Sequence, residues 1–317
     1  MRALISGVTG QDGHYLAELL LSKGYDVYGL VRRTSAPPKV PTGVKVIEGD
    51  VTDYTSLVQA LRYALPGEVY NLAAQSFVGT SFAAPLATVQ TNGVGAMNVF
   101  TACYDELGDA VRVYQAGTSE MFGGVSRAAS DESTPFHPRS PYGCAKVFAH
   151  HAAVNARERG LYVSNGILFN HESPRRGEHF VTRKVTRAVG RILAGTQKSL
   201  SLGNLSAVRD WGFAGDYVEA MWRMLQHDTP DDFVIATGRE ITVQSFVEDA
   251  FAHAGLDWRE FVVTAPEENR PTDVHYLSAN PSKAATELGW RAKTGIDDLI
   301  RMMVDSDIEL ASREARR

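Results

Sequence analysis

A doubly wound α/β fold is the architecture this sequence predicts: a parallel sheet covered by helices on both faces, with a smaller mixed α/β lobe attached. Three observations carry the prediction. Short apolar runs alternate with stretches of helical periodicity through the first half of the chain. Three glycines at spacing three stand where the first apolar run gives way to the first helical stretch. Beyond Asn170 the alternation decays into a mixed region, which marks the second lobe.

Residues 3–6 form an apolar run that meets Gly7, and after Gly13 the apolar positions Tyr15, Leu16, Leu19 and Leu20 recur at helical spacing until Gly24. That reads as strand, tight turn, helix. Residues 26–31 give a second strand, 44–48 a third, 55–65 a helix, and 68–72 a fourth strand ending at Ala73-Ala74-Gln75. A helix through 94–104, a strand at 111–116, a helix over 142–159 and a strand over 162–169 follow. Strands separated by helices imply right-handed crossovers and hence a parallel, Rossmann-like sheet. This domain is assigned to residues 1–168, with about 206–236 returning to it through Gly215-Asp216-Tyr217-Val218-Glu219-Ala220; about 169–205 and 237–317 form the substrate-facing lobe, with a helix at 246–254. The basic end at 313–317 reads as a frayed helix terminus.

Composition narrows the function. The chain has 317 residues, 44% hydrophobic, enough for a sizeable core. Its net charge of −5 and lack of a basic block give no footprint for general nucleic-acid binding. No apolar run approaches a membrane span or a signal h-region, so no membrane partner is expected and the cytoplasm is the expected address. Cys103 and Cys144 alone cannot build a disulfide framework or a four-thiolate zinc site, and suit a reducing compartment.

Gly7-Val8-Thr9-Gly10-Gln11-Asp12-Gly13 stands between strand and helix, where small residues let the backbone approach a pyrophosphate at the helix N-terminus. The same spacing also serves close helix-to-strand packing alone. An NAD site usually places an acidic residue at the end of the second strand, whereas this chain has Arg32-Arg33 there. A guanidinium pairs with a 2′-phosphate that a carboxylate would repel, so NADP is the expected cofactor. Arg32 and Arg33 equally fit a solvated loop pair. Asp50-Val51, after the third strand, reads either as the adenine edge of that site or as an ordinary turn.

Tyr142 and Lys146 lie four residues apart on one face of a helix that starts after Pro141. A cation there favours phenolate, and a phenol with an ordinary pKa of about 10 needs such help to act as a base near neutrality. Thr118-Ser119-Glu120 follows the strand at 111–116 and so stands at the carboxyl edge of the sheet, where open α/β folds bind ligands.

These residues resemble the extended short-chain dehydrogenase/reductases, with their glycine turn and Thr/Ser…Tyr-x-x-x-Lys triad. The likeness to one branch, the GDP-mannose 4,6-dehydratases, covers essentially the whole chain. It rests on the glycine turn, Tyr70-Asn71-Leu72-Ala73-Ala74-Gln75-Ser76, Thr118-Ser119-Glu120, Pro138-Arg139-Ser140-Pro141-Tyr142, Phe180-Val181-Thr182-Arg183-Lys184, Arg209-Asp210-Trp211-Gly212 and, most specifically, the run Gly166 through Glu178. The resemblance implies a redox-neutral hydro-lyase that oxidises a GDP-sugar at C4, eliminates water across C5 and C6, and returns the hydride to C6. It implies that Tyr142, with Lys146 and Thr118, takes the C4 hydroxyl proton. Glu120 would remove the C5 proton and assist departure of the C6 hydroxyl, as both base and acid, because Ser119 stands where related dehydratases carry an Asp.

For NADP the resemblance implies Gly7, Thr9, Gly10, Gln11, Asp12, Gly13, Arg32, Asp50, Val51, Leu72, Ala73, Ala74, Gln75, Tyr142, Lys146, His171 and Arg176. For the substrate nucleotide it implies Ser76, Asn170, Glu178, Val181, Lys184, Leu202, Gly203, Arg209 and Arg270. Arg175, Arg176, Arg183 and Arg187 are further cationic candidates, and Glu172 with Arg175 and Arg176 fits a structural network as well. The loop after Arg33 is shorter than the one by which many family members reach a neighbouring subunit, and the segment preceding Arg270 is short and unlike the family's fuller versions. The expected assembly is a homodimer or homotetramer, with the helices through 94–104 and 146–159 as interface candidates. No metal is expected, since adjacent His150 and His151 diverge on a helix and His171-Glu172 lacks a second His. Cys144, Trp211, Trp222 and Trp258 read as packing residues. The rivals are a dehydratase of another GDP-sugar such as a GDP-heptose, a GDP-4-keto-6-deoxy-sugar reductase, and a non-catalytic dinucleotide sensor. A sensor would lack the Tyr, the Lys or the acidic base, and all three are present.

Overall fold

A computed structural model describes residues 1–124, 128–265, 272 and 274–316. Its main sheet is parallel throughout and is built from β1 (Arg2–Ser6), β2 (Asp26–Val31), β3 (Lys45–Glu48), β4 (Glu68–Asn71), β5 (Arg112–Ala116), β6 (Tyr162–Leu168) and a late strand, Asp232–Ile235. The spatial order is β3-β2-β1-β4-β5-β6 followed by that late strand. The chain winds outward from β1 to β3 and then restarts at β4 on the other side of β1, so a crevice opens where β1 and β4 part, at their carboxyl ends.

Helices cover both faces because each central strand is apolar on both. In β1, Ala3 and Ile5 pack with Leu16, Ala17 and Leu20 of α1 (Gln11–Ser22), while Leu4 packs with Leu57 and Leu61 of α2 (Tyr54–Ala64). Two short helices, α3 (Val78–Ala83) and α4 (Pro85–Val89), lead through a single π turn, Gln90–Val94, into α5 (Gly95–Leu107). The second long helix on this face is α6 (Pro141–Glu158), whose Ser140 cap accepts from the Gly143 amide at 3.0 Å with Pro141 at its first position. Its Ala149, Ala152 and Ala153 pack against Val99, Phe100 and Val163.

Beyond β6 the chain passes between the sheet and a second core. There β7 (Asn170–Glu172), α7 (Val181–Leu193), β8 (Leu200–Leu202), β9 (Val208–Arg209) and β10 (Trp211–Phe213) precede α8 (Ala214–Gln226) and β11, the late strand of the main sheet. They are followed by β12 (Ile241–Thr242), α9 (Val243–His253), β13 (Val262–Thr264), α10 (Ser282–Glu287) and α11 (Ile296–Glu314). Val185 and Val189 of α7, Phe246 and Phe251 of α9, and Ile300 and Val304 of α11 form the second core, with Trp211 between them.

The chain crosses between the two lobes more often than the sequence reading divides them. Within 206–236, α8 and β11 return to the main sheet, but Ala207 and Trp211 pack in the second core because β10 pairs with β7. Within 237–317, Ala284, Leu288 and Trp290 pack under α8, and the Trp290 indole donates to the Asp216 carbonyl at 2.9 Å. The strands and long helices of the first half lie within about three residues of their expected positions, the largest difference being at the end of α5.

Candidate active site

The glycine turn opens the first of two adjoining cavities. A Cβ on Gly7, whose φ is +75°, would lie 2.9 Å from the Ala73 amide nitrogen, and one on Gly13 would lie 2.4 Å from the Gly7 carbonyl oxygen. These two glycines are required by the protein's own backbone. Gly10 is different: its Cβ would meet only the Gly7 carbonyl, at 3.3 Å. Gly10 caps α1 without any side-chain cap, so the helix's positive end borders the cavity bare. Close packing therefore accounts for two of the glycines, while the third leaves the bare helix N-terminus open to an approaching anion.

This cavity, of ≈ 660 Å³, is lined by Gly7, Thr9, Gly10, Gln11, Asp12, Gly13, Arg32, Asp50, Val51, Leu72, Ala73, Ala74, Gln75 and Arg176. Fourteen of the residues expected to hold a dinucleotide are thus brought together from β1, β2, β3, β4 and the chain after β7. Arg32 is exposed and forms no ion pair among the described residues. Asp50 is also a turn residue, its carboxylate accepting from the Thr52 amide and hydroxyl at 2.8 Å. The π turn has a local purpose: it sets the Asn92 side chain against the Gln75 backbone, accepting from its amide at 2.8 Å and donating to its carbonyl at 3.0 Å. Sequence reading passed over Asn92, and nothing in its spacing marks it.

His171 and Asp12 meet each other rather than only a ligand. The imidazole meets the Asp12 carboxylate through Nε2 at 2.8 Å and donates from Nδ1 to the Phe169 carbonyl at 2.7 Å, an arrangement that favours the imidazolium. Burial works against both charges, but the partner outweighs it: the pKa of His171 is raised and that of Asp12 lowered. Gln11 adds a bond from its amide to the His171 carbonyl at 3.0 Å and accepts from the Ser173 hydroxyl at 2.7 Å. The polar residues of the glycine turn are thereby fastened to the run Asn170 through Ser173. His171 itself does not line the cavity.

Thr118, Glu120, Tyr142 and Lys146 converge at the carboxyl end of β5. Thr118 caps a single 3₁₀ turn, Ser119–Met121, accepting from the Glu120 amide at 3.3 Å, and its hydroxyl is hydrogen-bonded to Tyr142. The Lys146 ammonium donates to the Ala116 carbonyl at 2.8 Å and stands 5.9 Å from the centre of the Tyr142 ring. Burial pushes the phenol up to about 12 against the help of Thr118, and pushes the ammonium down to about 8, partly restored by Asp12. A cation arriving beside Tyr142 would move the phenol back toward neutrality.

Glu120 lines the second cavity, of ≈ 320 Å³, along with Asn170, Arg176, Val181, Lys184, Leu202, Gly203 and Arg209. The Asn170 side-chain oxygen is buried there without a hydrogen-bond partner among the described residues. Ser76, expected on the substrate side, lines the first cavity, beside the glycine turn. Glu178 lines neither cavity; it is paired with Arg187 at 3.0 Å and Arg191 at 2.8 Å on the outer side of α7. Arg270 lies outside the described residues. Arg183 and Arg187 pair with Asp307 and Glu314 instead of lining a cavity. Arg176 and Glu172 form both of the arrangements the sequence left open, an ion pair at 3.1 Å that also borders a cavity. Phe77, His179 and Phe180 complete the wall, with His179 and Phe180 bordering both cavities. Cys144 is exposed, not packed as expected, because it falls on the outer face of α6 between Tyr142 and Lys146.

A family model described as GDP-mannose 4,6 dehydratase matches residues 4–303. Among the most similar curated proteins, GDP-mannose 4,6 dehydratase 1 of Arabidopsis thaliana is 51% identical, covering 98% of this chain and 91% of that one. GDP-mannose 4,6 dehydratase of Homo sapiens is 45% identical, covering 97% and 91%. Among solved structures, UDP-glucose 4-epimerase of Thermus thermophilus in complex with NAD superposes with a TM-score of 0.87 at 27% identity, covering 97% and 99%.

The glycines make a discriminating pair. Gly13→Ala should lower Tm markedly, since its Cβ meets backbone at 2.4 Å, whereas Gly10→Ala should leave Tm within a few degrees and weaken dinucleotide binding on the order of tenfold or more, read by calorimetry and thermal melts. A second expectation concerns pH. The raised pKa of His171 makes its contribution complete below the ordinary 6.5 and lost as pH climbs through the folded value, while Asp12 keeps its charge until pH falls below 3.8. The Tm advantage over His171→Gln should therefore be widest between about pH 4 and 6.5 and shrink toward pH 9. A gap that widens on the alkaline side would contradict the ion pair.

Proposed function

Because the chain belongs to the GDP-mannose 4,6-dehydratase family, we propose that the two cavities take a nicotinamide dinucleotide and a GDP-sugar end to end, and that the chain converts GDP-D-mannose to GDP-4-dehydro-6-deoxy-D-mannose. The observation that carries this is Glu120. Oxidation at C4 needs a base for the hydroxyl proton, which Tyr142 with Thr118 and Lys146 supplies; elimination needs a second acid–base group on the substrate side, and Glu120 lines that cavity one short turn from Thr118.

A bound nicotinamide supplies a reversible store for one hydride. The side chains do the proton work. Tyr142 accepts the C4 hydroxyl proton, with Lys146 holding the phenolate form and Thr118 donating to it. The resulting C4 ketone acidifies the C5 proton, which Glu120 removes and then delivers to the C6 hydroxyl as it departs as water; the proton Tyr142 took balances the one C5 must regain once the hydride is restored at C6. Asn170, Lys184 and Arg209 hold the nucleotide end, where a diphosphate requires cationic and amide donors. NADP is the proposed form, supported by Arg32 at the end of β2 where NAD sites usually have a carboxylate. Two cysteines, one of them exposed, fit a reducing cytoplasm.

A second protomer is part of this reading. Leu86 is 83% exposed and Phe148 49%, and with Val89 and Met97 they give α4, α5 and α6 an apolar outer face suited to a homodimer. Light scattering at micromolar concentration should give at least a dimer, and Leu86→Asp combined with Phe148→Asp should shift it to monomer. A monomeric parent chain would overturn the dimer.

The activity is tested by incubating the protein with GDP-D-mannose and catalytic NADP⁺ and following the nucleotide sugar by mass spectrometry. The expected product has lost one water with no net NADPH. Glu120→Gln should keep NADP⁺ binding and lose about 10²-fold or more in turnover. Stoichiometric consumption of NADPH on a 4-keto sugar, without dehydration of GDP-D-mannose, would instead identify a reductase.

A further inference from the structure

We propose that Arg183 and Asp307 are positioning residues that hold the loop carrying Arg176 between the two cavities, so that the C-terminal helix sets the affinity of both ligands. The inference rests on the reading of those cavities as the dinucleotide and nucleotide-sugar sites.

Asp307 sits in the middle of α11 with 0% of its surface exposed, and Arg183, 124 residues earlier on α7, is buried against it. The guanidinium donates to the two carboxylate oxygens at 2.7 Å from Nε and 2.7 Å from Nη2, and the Thr186 hydroxyl donates to the same carboxylate at 2.6 Å. Arg187 approaches it at 3.9 Å and is otherwise engaged with Glu178 and Glu314. The remaining nitrogen of Arg183, Nη1, turns the other way. It donates to the carbonyl of Pro174 and, at 3.0 Å, to that of Arg176.

The loop those carbonyls belong to is the partition of the site. Arg176 borders both cavities, pairs with Glu172 at 3.1 Å, and lays its guanidinium 3.6 Å from the centre of the Phe180 ring. On the glycine-turn side the loop is tied by Ser173 to Gln11 at 2.7 Å. On the other side Arg183 is the tie, and Asp307 orients it.

A purely structural account explains this arrangement poorly. Two buried charges cost several kcal/mol each to desolvate, and an apolar pair of the same volume often serves stability as well. An apolar pair cannot donate to two carbonyls. Lysine would neutralise Asp307 yet lacks the planar fork needed to reach the carboxylate and the loop together. The pair is built to fix a geometry, and the geometry it fixes is that of Arg176.

Arg183→Lys, which keeps the buried charge compensated, is the test, read by calorimetric titration with NADP⁺ and separately with GDP. Both dissociation constants should rise, by about tenfold. In an Arg176→Ala background the same change should leave both constants where Arg176→Ala alone put them, because the pair acts through Arg176. A merely structural role would lower Tm and add its effect in either background. Should Arg183→Lys fail to fold, Asp307→Asn is put through the same cycle. Unchanged affinities in a folded variant, or losses that add fully to those of Arg176→Ala, overturn the proposal. If Arg176→Ala alone moves neither affinity, the ligand reading of the cavities fails, and the proposal with it.

Discussion

A chain of buried amides along the carboxyl edge of the sheet governs much else in this molecule. The Ser6 hydroxyl donates to Asn71 at 2.7 Å, Asn71 donates to Gln115 at 2.7 Å, and Gln115 donates to the Ala116 carbonyl at 3.0 Å. Each group is buried, so each must find a partner or carry a desolvation penalty of about 1–3 kcal/mol. They find one another only if β1, β4 and β5 end in a single register. The last acceptor, the Ala116 carbonyl, also takes the Lys146 ammonium, and Ser6 accepts from the Ala73 amide at 3.2 Å. One relay thus aligns the floor of the glycine-turn cavity with Lys146.

Charge in the site follows from the same burial. A phenol driven upward and an ammonium driven downward stand on one helix, both desolvated by the sheet beneath them. Asp12 reaches across this arrangement, pairing with His171 and lending its negative charge to Lys146. The result is a set of charges, Asp12, His171 and Lys146, held by bonds within the protein itself.

What the residues announced and what they hid divide along physical lines. The first half was legible because strands buried on both faces leave unbroken apolar runs, and because the helix after Pro141 carries its own start signal in Ser140. Helix geometry put Tyr142 and Lys146 on one face, and Thr118-Ser119-Glu120 at the sheet edge together with the family resemblance gave that pair its weight. The run from Asn170 to Glu178 was recognisable as a signature, but its contacts were not. Glu178, with its acidic side chain at the edge of that signature, turns out to face Arg187 and Arg191, a pair one helical turn apart on α7. His179 and Phe77 were missed since their role depends on two segments a hundred residues apart meeting ring against ring, at 4.6 Å. Asn92 was missed because a π turn has no periodic signal of its own. Cys144 was misjudged because a four-residue helical motif says which face is shared, and not which face is outward.

The repeated passage of the chain between its lobes has a mechanical meaning. After β7, α8, β12, α10 and α11 each lie on the opposite side from a neighbour in sequence, several covalent straps span the cleft in parallel, and the Trp290–Asp216 bond adds another. Proteins that close by swinging one body over another rely on a few hinge residues. Here a swing would have to bend many strands of chain at once. Entry of a ligand by a swing of one lobe over the other is thereby opposed. The two halves should unfold as one cooperative unit rather than in turn.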